Sequence, residues 1–200
     1  MLNFIFNFLD IEILFFTVSF AFQIKFSNLK PIVTLFLLFC FFSFFNLENA
    51  NAQSADTTPI YKQFPDVPAF TLNRFPDSTV FTKQDLKKKT PTIVILFSPD
   101  CDHCKTATKD LLANIDDFKK VEIIMVSNLD FGWIKRFDQE FNISKYDNIT
   151  LATQQTFFLF EFYNLSSFPA VFVYDKKGKL IGDYKNHVDF KQVAALLKQK

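Results

Sequence analysis

Two cysteines separated by two residues are the clearest chemical signal in this 200-residue sequence. They are Cys101 and Cys104, within the stretch ILFSPDCDHCKTATKDLL, and the third cysteine of the chain is Cys40. A C-x-x-C pair is typical of a redox couple, of half a metal site, or of a structural disulfide. The flanking sequence and the cellular compartment bear on the choice between these three uses.

A redox couple is the use that the flanking sequence favours. Cys101 stands where a run of β-branched and apolar residues ends and a helical pattern begins. A helix N-terminus presents free N–H groups and a partial positive charge, which stabilise a thiolate, and the nucleophilic thiols of C-x-x-C pairs have pKa values lowered to roughly 3.5–7.5. We therefore expect Cys101 to attack a partner disulfide, and Cys104, one turn into the helix, to resolve the mixed disulfide.

The two residues between the cysteines are candidates for tuning the couple. A protonated His103 would stabilise the Cys101 thiolate and make the disulfide form more oxidising, whereas the negative charge of Asp102 would act in the opposite direction. The alternative interpretation is that Asp102 and His103 are simply exposed residues of the first helical turn.

The other uses of a C-x-x-C pair are disfavoured, and so are several classes of partner. A zinc site needs about four ligands, but the sequence has no second C-x-x-C pair and only one further histidine, His187. A disulfide across one helical turn would constrain the unfolded chain very little. From Gln53 onward, 20 Lys and Arg balance 18 Asp and Glu, which gives no reason to expect nucleic acid as a partner. The sequence therefore predicts no metal, no nucleic acid and no cofactor.

The first 52 residues are predicted to be an export signal or a membrane anchor. Residues 31–45 are almost entirely apolar and follow Lys25 and Lys30, and Ala50-Asn51-Ala52 fits a small-x-small cleavage site. The apolar run is short for a membrane span, which favours cleavage. The rest of the chain is therefore expected in the periplasm or at the outer face of the inner membrane, where disulfides form. Contact with the membrane is expected only through this N-terminal segment.

The polar, proline-bearing residues 53–68 fit a linker or an ordered but irregular arm. We place a linker over residues 53–66 and one α/β domain over residues 67–200. PAFTLNRFPDSTVFT alternates like a β-hairpin with its turn at Pro76-Asp77-Ser78. Further strands are predicted at Thr92–Ser98, Val121–Ser127, Ala170–Tyr174 and Leu180–Tyr184, and helices at Cys104–Ile115, Phe131–Phe141 and Val188–Leu197. Their order predicts a mixed sheet with helices on both faces, built from parallel crossovers and a closing antiparallel hairpin.

Phe168 and Pro169 directly precede one of these predicted strands. A proline at this place cannot donate to a sheet ladder. From the residues alone, a trans proline that starts a strand is a more common outcome than a cis bond.

These motifs together resemble the thioredoxin fold. From Val67 to Leu197 the chain is most similar to the exported TlpA/ResA-like branch, also called the redoxin or AhpC/TSA-like group, because Ser-Pro-x-Cys-x-x-Cys follows a strand and Phe-Pro-x-x-x-x-x-Asp-x-x-Gly follows later. The resemblance implies that Pro169 is a cis-proline facing the cysteine pair. It also implies that the backbone of Phe168 binds the extended chain of a partner.

The chain departs from the pattern of this family near the cysteines. Asp100 stands where the family usually has Trp, and Ile95 stands where thioredoxins carry a buried acid. Glu161 is a candidate substitute as proton acceptor, although FFLFEFY also fits a helix with Glu161 in solvent. The branch carries an insertion before the proline, which is predicted here at residues 142–156.

The resemblance implies a reductase or isomerase of exported proteins that a membrane electron donor recharges, because a C-x-x-C protein needs such a donor to stay reduced in an oxidising compartment. Two alternatives stay open: a DsbA-like oxidant, since His103 precedes the second cysteine, and a non-catalytic thioredoxin-fold module that binds a partner or senses redox state. A peroxidase is disfavoured because Val94 and Ser98 replace the Pro and Thr of the Pro-x-x-x-Thr-x-x-Cys signature.

Overall fold

The structure, a computed structural model, describes residues 58–154 and 156–199. The predicted export signal or anchor over residues 1–52 and the first part of the predicted linker lie outside the described residues. Within the described ranges, no helix combines the length and the apolar character needed to cross a bilayer.

A seven-stranded sheet forms the centre of the described part of the chain. Its strands are β1 (Thr71–Arg74), β2 (Val80–Thr82), β3 (Thr92–Leu96), β4 (Glu122–Ser127), β5 (Ile149–Thr153), β6 (Ala170–Tyr174) and β7 (Leu180–Lys185), in the order β2-β1-β5-β4-β3-β6-β7. β3, β4 and β5 run parallel, whereas β6 pairs antiparallel with both β3 and β7.

Helices cover the sheet on both faces, so the predicted mixed sheet and its layers are confirmed. They are α1 (Ile60–Gln63), α2 (Asp102–Ala113), α3 (Phe131–Phe141), α4 (Phe158–Phe162) and α5 (Phe190–Lys198). Short 3-10 turns occupy Lys83–Asp85, Ile115–Phe118 and Ile143–Lys145. The predicted bounds of α3 are confirmed, and α2 begins two residues earlier than predicted.

Two separate cores result from the alternation of side chains along the central strands. Ile93 and Ile95 of β3 point into a first core, which holds the buried faces of α2, α3 and α5. Val94 and Leu96 point to the other face, into a second core that holds the buried faces of α1, α4 and the β1–β2 hairpin. β3 is therefore buried on both faces, as its continuous apolar sequence predicts.

β5 is a strand that the sequence analysis missed. It lies inside the segment predicted as an insertion, and it pairs parallel with β4 and antiparallel with β1. Its sequence ITLAT is short but contains the β-branched residues and partial alternation that favour a strand. The assignment of residues 142–156 to an insertion was therefore wrong for this part. Leu151 is buried in the first core and Ala152 in the second, as expected for an inner strand.

The N-terminal hairpin is confirmed, with Leu72 of β1 opposite Phe81 of β2 and the turn where the sequence predicts it. The residues before the hairpin differ from a free linker. Tyr61 is only 3% exposed, and the Pro65 carbonyl accepts a hydrogen bond from the Leu180 N–H at 2.7 Å. The part of the predicted linker that the structure describes is thus an arm packed on the domain, which includes residues before Val67.

Candidate active site

Cys101 caps the N-terminus of α2. β3 ends at Leu96, a short loop follows, and Cys101 has extended backbone angles (φ −86°, ψ 119°) immediately before the helix. The Cys104 N–H donates a hydrogen bond to the Cys101 sulfur, with an N-to-S distance of 3.3 Å. The sulfur therefore occupies the position of a capping oxygen, where backbone N–H groups and the helix dipole stabilise negative charge.

Cys104 is the shielded partner of the pair. Its side chain is 1% exposed, whereas Cys101 is partly exposed, and neither thiol is bonded in a disulfide. Burial raises the pKa of the Cys104 thiol well above its usual range; a hydrogen bond with the Cys101 thiol and the negative charge of Asp100 act in the same direction, and a backbone hydrogen bond with Ser98 opposes them. Cys104 is thus held as a thiol behind the accessible sulfur of Cys101.

Pro169 lies against the inner cysteine. The Phe168–Pro169 peptide bond is cis, as the family resemblance implies. Pro169 and Cys104 line one small cavity of about 10 Å³ together with Ile95 and Thr108. This volume is at the lower limit of what a water molecule needs, so the environment of the Cys104 thiol is close-packed and largely apolar.

Phe168 presents its backbone next to this cavity. Its ring packs against both cores and lies 6.1 Å from the ring of Phe160. Within the described ranges, neither the N–H nor the carbonyl of Phe168 has a hydrogen-bond partner, whereas the Pro169 carbonyl accepts from the Asn186 N–H at 3.0 Å. The Phe168 backbone groups are therefore available to pair with an extended chain.

The family model described as a thioredoxin-like domain matches residues 80–200, which is more than half of the chain. The chain belongs to this thioredoxin-like family. A search of curated proteins found no match.

Solved structures share the fold of this thioredoxin-like protein at low sequence identity. A secreted disulfide oxidoreductase of Mycobacterium tuberculosis, homologous to DsbE of E. coli, is 17% identical with a TM-score of 0.55, over 66% of this chain and 96% of that one. An exposed lipoprotein thioredoxin of Streptococcus pneumoniae is 17% identical with a TM-score of 0.55, over 66% and 100%. A peroxiredoxin-like protein of Aquifex aeolicus is 22% identical with a TM-score of 0.54, over 67% and 84%. The thioredoxin-like fold is thereby confirmed.

Asp102 and His103 are both exposed in the first turn of α2. His103 lines a groove between α2 and the loop before α5, but neither side chain makes a hydrogen bond or an ion pair with another described residue. A role of Asp102 or His103 in tuning the couple therefore stays a prediction.

Glu161 does not join this site. It is exposed on α4, and the neighbouring Leu159, Phe160 and Tyr163 pack into the second core, on the face of the sheet opposite Cys104. The structure agrees with the alternative interpretation, in which Glu161 lies on a helix and faces solvent. Because Ile95 lines the Cys104 cavity, this thioredoxin-like domain has no carboxylate at the position of the usual buried acid.

Asp100 is a residue near the site that sequence reasoning treated only as a replacement for Trp. The Ser98 hydroxyl donates a hydrogen bond to its carboxylate, and its charge contributes to the raised pKa of Cys104. The signal available in the sequence was a Ser two residues before an Asp in a loop, a spacing that favours a local hydrogen bond.

Proposed function

We propose that this thioredoxin-like protein is a thiol–disulfide oxidoreductase that reduces or isomerises disulfides of exported proteins. The observation that carries the proposal is the asymmetry of the pair: a partly exposed Cys101 sulfur at a helix N-terminus accepts the N–H of a buried Cys104. One sulfur can reach a partner and the other cannot. Such an arrangement suits an attacking thiolate backed by a resolving thiol.

The reaction proceeds in two exchange steps. The Cys101 thiolate attacks one sulfur of the client disulfide, a bond forms between the two sulfurs, and the second client sulfur leaves as a thiolate that takes a proton from solvent. Cys104 then loses its proton and attacks the Cys101 sulfur, which releases the first client sulfur as a thiol. Two electrons have passed to the client, and the protein holds a Cys101–Cys104 disulfide.

The client chain would be held by the backbone next to Pro169. The free N–H and carbonyl of Phe168 can pair with an extended client segment as an added strand does. Because Pro169 lies against the Cys104 cavity, a segment held there would bring its cysteine to the sulfur of Cys101.

Export and recharging complete the proposal. The apolar segment over residues 31–45 and the site at Ala50-Asn51-Ala52 support export. Two proteins of similar fold are described as secreted and as an exposed lipoprotein. In the periplasm or at the outer face of the membrane, a dithiol donor in the membrane would reduce the Cys101–Cys104 disulfide and become oxidised itself.

The test is to trap the mixed disulfide. The full chain carrying Cys104→Ser, purified in mild detergent and reduced, is mixed with a peptide disulfide and analysed by mass spectrometry under acid quench. We expect a covalent adduct at Cys101 that persists, because the resolving thiol is absent.

Two controls define the result. With Cys40 replaced by Ser in every protein, the Cys101→Ser variant should form no adduct, since Cys104 is 1% exposed. The wild-type pair should release the peptide thiol with only a transient adduct. If Cys104→Ser forms no adduct with peptides or exported proteins, the catalytic proposal is wrong and the fold serves as a binding or redox-sensing module.

A further inference from the structure

A groove of about 430 Å³ opens between α2, the helix that carries the cysteine pair, and the loop that leads into α5. His103 lies on its α2 wall, next to Cys104 in the sequence, and His187 lies on its loop wall. These are the two histidines of the whole sequence. The volume falls within the range of about 300–1,000 Å³ that is common for ligand sites.

The two acidic residues of the groove are engaged in helix capping. Asp110 accepts the Phe190 N–H at 3.0 Å with one oxygen and the Asn114 side-chain amide at 3.1 Å with the other. Asp189 caps α5, because its oxygens accept from the Lys191 N–H at 2.9 Å and from the amides of Gln192. Both carboxylates accept N–H groups at the N-terminus of α5, so their charge is partly compensated by these groups.

The basic side chains of the groove have no such partners. His103, His187 and Lys191 are exposed, and within residues 58–154 and 156–199 their side chains make no hydrogen bond and no ion pair. The groove therefore offers three basic side chains without partners, while its two carboxylates accept hydrogen bonds from N–H groups. This combination is complementary to a carboxylate.

The loop that forms one wall of the groove is hydrogen-bonded to Pro169. The Asn186 N–H donates to the Pro169 carbonyl at 3.0 Å, and Asn186 and His187 line the groove. The groove thus continues directly from the backbone of Phe168 and Pro169. An extended chain that pairs with Phe168 and presents a cysteine to Cys101 will place neighbouring residues over the groove, because alternate side chains point the same way about 6.6–6.8 Å apart.

We propose that this groove binds an acidic side chain of the client next to the attacked cysteine, so that His103, His187 and Lys191 select clients with Asp or Glu near their disulfide. The proposal rests on the proposed function for the attack itself and names the client class of the same site. Histidine side chains gain a proton as pH falls from 8 to 5. The charged groups that share the groove with the two histidines are Asp110, Asp189 and Lys191. The preference for clients with Asp or Glu near the disulfide is therefore stronger at pH 6 than at pH 8.

The experiment compares two peptides with the full chain in detergent. Both peptides contain one cysteine blocked with a methylthio group. They are identical except at the position two residues from this cysteine, which is Glu in one peptide and Gln in the other. The reduced protein converts each to peptide thiol and methanethiol and becomes a Cys101–Cys104 disulfide. The ratio of the two reduction rates, measured with the same protein, is independent of the reactivity of Cys101. At pH 6 we expect the Glu peptide to be reduced about three times as fast as the Gln peptide.

Variants on the loop wall and on α5 identify the groove as the cause. In a His187→Gln, Lys191→Gln double variant the ratio should fall towards one at both pH values. Lys177→Gln is the matched control, because it removes a positive charge from the exposed turn between β6 and β7, and it should keep the wild-type ratio.

A binding measurement separates this proposal from the proposed function. A peptide with Ser in place of the blocked cysteine is titrated against the protein, and the imidazole signals of His187 are followed by NMR. If both blocked peptides are reduced at equal rates, and the Glu peptide with Ser leaves His187 unmoved, the groove proposal is wrong while the exchange activity stands. If neither peptide is reduced but the Glu peptide with Ser shifts His187 more than the Gln peptide does, the groove stands and the exchange activity is wrong.

Discussion

At the scale of single residues, the Cys104 thiol is the group whose chemistry the fold changes most. Burial raises its pKa, and the cavity that it shares with Pro169 is lined by Ile95 where a carboxylate could have accepted its proton. The attacking and resolving steps therefore differ in what limits them. Cys101 is partly exposed at a helix end, whereas Cys104 must lose a proton in an apolar site.

The resolving step is therefore expected to depend steeply on pH. Because the pKa of Cys104 is raised, its thiolate fraction and hence the rate of the second step should rise about tenfold per pH unit from pH 7 to pH 9 without levelling. Rapid-quench measurement of the decay of a preformed Cys101–peptide adduct gives this rate. A rate that levels off below pH 8 would show that another group accepts the proton and that the raised pKa does not limit resolution.

The residue types and their spacing predicted the cysteine pair at the end of a strand, because that motif is local in sequence. The cis bond at Pro169 was implied only by the family resemblance, since the residues alone favour a trans proline there. Glu161 shows the limit of this reasoning. Its distance from Cys104 depends on which face of the sheet α4 covers, and that depends on Leu159, Phe160 and Tyr163 packing into the second core. The neighbourhood of His103 and His187 likewise depends on how α2 and α5 pack.

At the scale of elements, α2 and α5 are joined by a single carboxylate. Asp110 lies in the last turn of α2 and accepts the N–H of Phe190, the first residue of α5. It also accepts from Asn114 near the end of its own helix. One side chain thus fixes the start of α5 against the helix that carries the cysteines, and with it one end of the groove.

Replacement of this carboxylate should destabilise the domain. We expect Asp110→Ala to lower the free energy of unfolding by about 1–2 kcal/mol, because the Phe190 N–H and the Asn114 amide lose their acceptor. Urea unfolding followed by circular dichroism measures the change. The control is Asp116→Ala, which removes only an exposed ion pair with Lys119 and should change stability by less than about 0.5 kcal/mol. Equal effects of the two substitutions would contradict the role of Asp110.

The elements themselves were predictable where one local pattern dominated. α3 begins and ends at Phe131 and Phe141, because apolar residues recur at helical spacing between an Asp130 cap and Asn142 in the left-handed conformation. β5 was missed although ITLAT favours a strand, because five residues are a weak signal by themselves. Its place inside the sheet is fixed by pairing with β1 and β4, which are distant in sequence. The sequence left the residues before the hairpin open between a linker and an ordered arm. The choice depends on contacts of the arm with residues more than 100 positions away, which no local pattern shows.

At the scale of the whole molecule, a buried group of tyrosines links the arm, α4 and β6. The hydroxyls of Tyr163 and Tyr174 are 2.7 Å apart in the second core, and the Tyr61 hydroxyl donates to Asp183 of β7 at 2.8 Å. Burial, together with the hydrogen bond and charge of Asp183, raises the pKa of Tyr61 to about 12. Burial also raises the pKa values of Tyr163 and Tyr174.

This group should make the domain sensitive to alkali. The pKa of each phenol is higher in the folded state than in the unfolded state, so above pH 10 the unfolded chain releases protons that the folded chain keeps. The folded state then binds more protons, and the free energy of unfolding falls as pH rises from about 10. Below pH 10 this contribution is constant.

The Tyr163→Phe, Tyr174→Phe double variant tests the assignment. Its free energy of unfolding should decline less between pH 10 and pH 11 than that of the wild type. At pH 7, Tyr163→Phe alone should cost about 1–3 kcal/mol, because it leaves the Tyr174 hydroxyl without a partner, and the double variant should cost less than this single one. Parallel pH curves for wild type and double variant would contradict the assignment.

The proposed activity of the whole molecule is that the pair passes electrons to exported disulfides, and its redox equilibrium tests this most directly. The full chain is equilibrated with dithiothreitol or glutathione buffers of graded potential, and the fraction of Cys101–Cys104 disulfide is measured by mass after thiol blocking. If the protein is a reductase, we predict a two-electron reduction potential of about −270 mV for the Cys101–Cys104 disulfide. A value near about −120 mV would identify an oxidant instead, and the absence of a Cys101–Cys104 disulfide at every potential would contradict disulfide exchange altogether.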